Sequence, residues 1–262
     1  MNSIDFTSKA IVFITGASRG IGRTIAIEIS RKLEQNSILI LLARSKTGLE
    51  ETKTQIAEVD KSITVETIAV DLSKPDINEY NDIFKKVLSS VDTKDIKTAI
   101  FFHNAAHIGT IKKTTDLIDL EVWREYYDLN MFSCVLLNNV FVKHMRPVAP
   151  QLCVINISSL AGKTPLSNLG MYGSGKAARE LFFKVFALEE PNIIVFNYSP
   201  GPVDTEMFDS IVQTAQSEDV RNSFREIKNS SVLTPAKTVN KLLDLIEKGD
   251  FKSGDCIDYY ER

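Results

Sequence analysis

Tyr172 and Lys176 stand four positions apart in a stretch with helical periodicity, which puts a phenol and an ammonium on one helix face. Reducing a carbonyl requires a proton donor at the developing alkoxide, and that donor must be acidic enough near neutral pH. A phenol titrates at about 10, and a neighbouring ammonium lowers that value by favouring the phenolate. Ser159, in Asn156-Ile157-Ser158-Ser159, follows an apolar run and can hydrogen-bond a carbonyl oxygen, although Ser158 competes for the role on these grounds alone. Asn130, in the mid-helix run Tyr127-Asp128-Leu129-Asn130, is a poor helix former, which invites a polar task such as holding a water near Lys176.

A hydride source is implied upstream. Thr15-Gly16-Ala17-Ser18-Arg19-Gly20-Ile21-Gly22 follows an apolar run and opens a helical pattern. Gly16 permits a sharp strand-to-helix turn, Gly20 lets backbone approach a pyrophosphate, and Gly22 brings the first helix close to the sheet. Phosphates then lie at the positive end of that helix, with Ser18, Arg19 and Ile21 in contact range. A fold that prefers NAD places an acid at the end of the second strand, about 20 residues past the glycines. Here that end is Leu42-Ala43-Arg44-Ser45. Arg44, with Ser45 beside it and Arg19 in the glycine turn, matches a 2′-phosphate, so the expected cofactor is NADP(H). Asp71 and Leu72, after the third strand, are expected at the adenine. Asn104, in His103-Asn104-Ala105-Ala106, is expected to let backbone pass close to the cofactor. A satisfied turn residue accounts for Asp71 or Asn104 almost equally well.

Short β-branched runs at 10–14, 38–43, 64–70, 98–102, 152–157, 193–198 and 256–259 alternate with helical stretches. This pattern predicts a single-domain α/β Rossmann fold, with a doubly wound, parallel, seven-stranded sheet covered by helices on both faces. The 262 residues, 44% hydrophobic, fit one domain, and no repeat or linker divides them. Residues 207–233 interrupt the rhythm after the sixth strand. Ligands bind at the carboxyl ends of parallel strands, so this excursion is either a substrate lid or a surface insertion without a role. A formal charge of −3 supplies no field for nucleic acid or an anionic membrane. No apolar run approaches a membrane span, and residues 1–9 carry neither a signal-peptide core nor an Arg-rich transit pattern. Cys134, Cys153 and Cys256 lack metal-ligand spacing and are expected as buried free thiols of a cytoplasmic protein, with no metal.

Taken together, TGASRGIG at 15–22, NISS at 156–159, YGSGK at 172–176 and PGPVDTEM at 200–207 resemble the short-chain dehydrogenase/reductase superfamily over essentially the whole chain. The resemblance implies a tetrad of Asn130, Ser159, Tyr172 and Lys176, with Ser159 chosen over Ser158 by its separation from Tyr172. Lys176 also holds the nicotinamide ribose, and Pro200, Gly201, Val203 and Thr205 flank the nicotinamide. One departure is Ala106, where the superfamily usually carries glycine. Within the superfamily, the stretches at 175–179, 187–192 and 197–202 and the tail at 251–260 resemble the enzymes that reduce side-chain ketones of pterins toward tetrahydrobiopterin. By that likeness Asp258 anchors the substrate, since a carboxylate matches the paired N–H donors of a pterin edge. A homodimer is also implied, and Trp123, Tyr126, Tyr127 and the stretch 131–142 suit either its interface or intramolecular core. The other readings are reduction of a diketone or quinone, with Asp258 structural, and an NADPH-binding sensor without chemistry.

Overall fold

A computed structural model describes residues 2–261. Seven strands form one parallel sheet in the order β3-β2-β1-β4-β5-β6-β7. They are β1 (Ala10–Thr15), β2 (Ile38–Ala43), β3 (Thr64–Ala69), β4 (Thr98–His103), β5 (Gln151–Ile157), β6 (Ile193–Ser199) and β7 (Cys256–Asp258). Alternate residues of each strand feed opposite faces, so β1 sends Val12 and Ile14 to one core and Ile11 and Phe13 to the other. The first core is covered by α1 (Gly20–Ser30), α2 (Lys46–Val59) and a late helix, Pro235–Lys248. The second lies under α3 (Ile77–Ser90), α5 (Ser133–Met145) and α6 (Gly170–Glu189), with α4 (Leu120–Tyr127) running into α5. Burial on both faces explains why β1, β2 and β4 are apolar along nearly their whole length.

Strand order reverses between β1 and β4, and the glycine turn lies at that switch point. Gly16 adopts φ +69°, the left-handed region. A methyl at Gly22 would overlap the Gly16 carbonyl and the Asn104 amide. The lack of a side chain is therefore what lets α1 approach the end of β1. Asn104 closes the arrangement from β4, donating from Nδ2 to Thr15 O at 2.9 Å and from its backbone N to Thr15 Oγ1 at 3.0 Å.

The excursion after β6 folds as two helices, α7 (Glu206–Thr214) and α8 (Glu218–Ser230), before α9 (Pro235–Lys248) returns to the first core. Its ends are pinned together: Val203 and Leu233 form a parallel bridge, Asp204 N donates to Leu233 O at 2.9 Å and Leu233 N to Pro202 O at 2.7 Å. Cys134 and Cys153 are buried free thiols. Cys256 departs from the expectation, being only half-buried, because β7 is the sheet edge and is three residues long. No helix among the described residues is long and apolar enough to cross a membrane.

Gly22→Ala is expected to lower stability by about 1–3 kcal/mol through overpacking against Gly16 and Asn104, measured by urea unfolding against the unsubstituted chain.

Candidate active site

Helix α6 brings Tyr172 and Lys176 over the carboxyl end of β5, where the chain leaves the sheet through Ser158 and Ser159. The two serines part company here. Buried Ser158 donates from Oγ to Glu180 Oε2 at 3.0 Å. Ser159 caps the short 3₁₀ turn Leu160–Gly162, accepting from Ala161 N at 3.2 Å, and faces the Tyr172 phenol. Lys176 is 2% exposed, donates from Nζ to Ile157 O at 2.7 Å and lies 5.6 Å from the centre of the Tyr172 ring.

Burial governs the electrostatics of this cluster. It raises the Tyr172 phenol above its ordinary value, with Ser159 and the Arg179 guanidinium acting in the opposite direction. It also pushes Lys176 well below the usual lysine range, and Arg179 adds to that push. Among the charges around Tyr172, the one that acts to lower its phenol here is the Arg179 guanidinium. A buried lysine beside a guanidinium resists ionising, and the permanent cation near the phenol is Arg179.

Asn130 is likewise placed differently from a regular mid-helix residue. The chain makes a π-helical turn over Asp128–Phe132, between α4 and α5, and Asn130 is buried in it. Its Nδ2 donates to Tyr126 O at 2.9 Å and its Oδ1 accepts from His107 N at 3.0 Å, so the side chain braces backbone rather than touching Lys176. The neighbouring aromatics serve the same wall from within the chain: Tyr126 Oη donates to Tyr172 O at 3.1 Å and Tyr127 Oη to Ser174 Oγ at 3.1 Å. Trp123 donates to Leu117 O at 2.8 Å.

On the other side of the switch point, Arg44 is exposed at the end of β2 and Ser45 caps α2, accepting from Gly48 N at 3.1 Å. Arg19 pairs with Glu206 at the start of α7. A methyl on Gly20 would meet only Thr205, 3.7 Å away, so the turn leaves room for a ligand there. Ser18 is held by its carbonyl, which accepts from Arg23, a residue the sequence reading passed over. The Ile21 side chain packs on the first core, leaving its backbone for any cofactor contact. Asp71 accepts from Ser73 N and Oγ, and Leu72 O accepts from Ser133 Oγ, so both act as tied turn residues. Pro200, Gly201 and Val203 form the β6–α7 connection, with Thr238 Oγ1 donating to Pro200 O at 2.8 Å and Thr205 capping α7. A left-handed Gly16, an open Gly20 and the exposed Arg44 at the end of β2 fit a phosphorylated dinucleotide, while Arg19 is engaged by Glu206. Ala106 is accommodated in a loop held on either side, at Ala105 O by Arg179 and at His107 N by Asn130.

The excursion reaches the chemistry. Ile211 of α7, Ala215 just past its end and Val220 of α8 join Ile108, Ile111, Leu169 and Tyr172 in a third apolar cluster. Beside it, a cavity of about 510 Å³ is bordered by Ala161, Leu166, Leu169, Gly173 and Ser174. Asp258 ends β7 opposite Ser199, at the same edge of the sheet. It is buried, with Oδ2 accepting from Ser199 Oγ at 2.5 Å and Oδ1 from Tyr260 N at 3.0 Å.

The short chain dehydrogenase family model matches residues 10–216. The chain belongs to the short-chain dehydrogenase family. As a short-chain dehydrogenase it is an oxidoreductase. It is 31% identical over 257 residues to sepiapterin reductase of Bos taurus, covering 97% of this chain and 95% of that one. It is 28% identical over 246 residues to the (S)-benzoin-forming benzil reductase of Bacillus subtilis, covering 91% and 94% respectively. Its fold matches the crystal structure of a short chain dehydrogenase of Escherichia coli CFT073 complexed with NADPH, with a TM-score of 0.79 and 22% identity over 97% of this chain and 98% of that chain.

Glu180 supplies a pH-dependent contact beneath this short-chain dehydrogenase site. Burial opposes its ionisation, but Lys184, Cys256 and Ser158 together hold its carboxyl below the ordinary value of 4.5. A depressed folded-state value means stability present above about 4.5 and lost as the pH falls through it. Glu180→Gln is therefore expected to destabilise the chain most at pH 7 and progressively less toward pH 3, checked by urea unfolding across that range.

Proposed function

We propose that this short-chain dehydrogenase uses NADPH to reduce the side-chain ketone of a pterin, with sepiapterin and 6-pyruvoyl-tetrahydropterin as the expected substrates. The observation that carries this reading is Asp258: a buried carboxylate at the carboxyl end of β7, with an oxygen lone pair to spare on each side. A pterin offers it two parallel N–H donors. The likeness to sepiapterin reductases over nearly the whole chain supports the same substrate class. Arg44 and Arg19 would take the 2′-phosphate, and Gly16, Gly20 and Gly22 the pyrophosphate, with Pro200, Gly201, Val203 and Thr205 along the nicotinamide.

When bound, a reduced nicotinamide would supply the hydride for the carbonyl carbon. Ser159 donates a hydrogen bond to the carbonyl oxygen and Tyr172 transfers its phenolic proton there, giving the alcohol. Tyr172 is then reprotonated from solvent, with Lys176 beside it. Helices α7 and α8 would cover the substrate, using the apolar cluster around Tyr172. Two copies are expected to pair through α6, where Leu181, Val185 and Leu188 are exposed at positions sharing one helix face, near exposed Phe132.

A second reading is favoured by the 28% likeness to a benzil reductase, an enzyme named for reducing a vicinal diketone. The two separate on Asp258→Ala, assayed by NADPH oxidation with sepiapterin and with benzil in parallel. The pterin reading expects sepiapterin turnover to fall by about 10²-fold, the scale of a lost charge-assisted contact, while benzil turnover persists. Equal turnover of both by the variant selects the diketone reading. Ser159→Ala is expected to abolish most of kcat with either substrate, whereas Ser158→Ala retains it.

Arg44→Glu is expected to reverse cofactor preference toward NADH, because an acid at this position accepts from the free ribose hydroxyls and repels a phosphate. The ratio of kcat/KM for NADPH and NADH measures this.

A further inference from the structure

Tyr172, Lys176 and Arg179 fall at successive positions i, i+4 and i+7 of α6, so their side chains share one helix face. Arg179 is 1% exposed. Its acceptors are all uncharged: Asn156 Oδ1 receives Nε at 3.1 Å and Nη2 at 2.8 Å, His103 O receives Nη2 at 2.8 Å, and Ala105 O receives Nη1 at 3.1 Å. Asn156 continues the chain by donating to Asn197 Oδ1 at 2.9 Å, and Asn197 donates to Gly254 O at 3.2 Å. His103, Asn156, Asn197 and Cys256 lie in register across β4, β5, β6 and β7, so this is one polar row set into an otherwise apolar sheet.

A fork that only fastens a helix to a sheet has no need of charge, and burying an ion without a counter-ion is among the most costly arrangements in a protein. A guanidinium keeps its charge even there. The titratable groups around it are His103 from β4, Tyr126 from α4, Cys134 from α5, and Tyr172 and Lys176 from α6 itself. The carboxylate of Glu180, the next residue on α6, is taken up by Ser158 and Lys184 and not by the guanidinium, so the fork has no counter-ion of its own among the described residues and its field reaches the groups placed for proton transfer.

We propose that Arg179 is a positioning residue for carbonyl reduction: its fork fixes α6 on the ends of β4 and β5, and its permanent charge makes Tyr172 a readier proton donor. This rests on the reading of Tyr172 as that donor. Burial alone raises the phenol and Arg179 opposes it. The same charge holds down Lys176. Removing it moves the protonation equilibria of both groups to higher pH, and the two shifts share one sign.

Asn156→Asp is the sharpest test, since it keeps the Oδ1 acceptor of the fork and lays a carboxylate on the guanidinium, giving up only the bond to Asn197. The pH profile of kcat with NADPH is measured for the unsubstituted enzyme, Asn156→Asp, Arg179→Met and Arg179→Lys, on whichever carbonyl substrate it turns over. The alkaline limb is expected to move up by about one pH unit in Asn156→Asp and Arg179→Met, with kcat at neutral pH falling about tenfold. Arg179→Lys, which retains a charge but loses the fork, is expected to keep the limb near its original place while kcat declines. A limb that stays put in Asn156→Asp overturns the proposal, whether or not Arg179→Met folds. Tyr172→Phe runs alongside: if it retains full activity, the assignment of the proton donor fails instead, and the two failures are told apart.

Discussion

A guanidinium without access to water must find an oxygen for each N–H it presents, and meeting that demand around Arg179 fixes how α6 lies on the sheet. The acceptors come from the end of β4, the loop beyond it and the side chain of Asn156 on β5. All three are rigid, two being backbone carbonyls at the sheet's carboxyl edge. Once the fork is seated, the positions one and two turns earlier on α6 have no freedom left, and those are Lys176 and Tyr172. Lys176 then reaches Ile157 O, and Tyr172 meets Ser159 where β5 ends. The geometry of the site is thus set from below, by a polar row inside the sheet, as much as by the loops above it.

The other half of the molecule depends on a close approach rather than on a bond. Gly22 lacks the carbon that would keep α1 off the Gly16 carbonyl, and Asn104 fills the remaining gap from β4. This close approach sets the positive end of α1 at the switch point, where the phosphates of the proposed cofactor would lie. Arg23, reaching from α1 to Ser18 O, Gly48 O and Glu51, holds the turn against α2.

Much of the fold was legible in the residues themselves. Strands whose two faces are both buried announce themselves as unbroken apolar runs, and the four-residue spacing of Tyr172 and Lys176 placed both on one face of α6. What escaped notice shares a physical cause: its partners lie far away in sequence or are backbone atoms with no identity of their own. Arg179 looks like any helical arginine until the carbonyls of His103 and Ala105 are seen beneath it. Ser158 and Ser159 are the same residue type in adjacent places, and only the alternation of the strand's exit turns one to Glu180 and the other to Tyr172. Asn130 was recognisable as misplaced in a helix, but the π turn that uses it is a property of backbone hydrogen bonding. The burial of Tyr172 depends in part on the covering supplied by α7 and α8, which contribute few apolar residues, spaced widely through polar sequence.

The pinned ends of that covering have a further implication. Because Val203 and Leu233 pair with each other, the segment between them leaves and rejoins the body at a single point. The sheet carries no memory of its length. Closure entropy grows only slowly with the number of residues enclosed, so helices could be lengthened, shortened or exchanged here with little penalty to the folding of the remainder. The helices proposed to cover the substrate form a detachable cassette, while Asp258 and the residues proposed to move the proton belong to the frame, and the two are free to change at different rates.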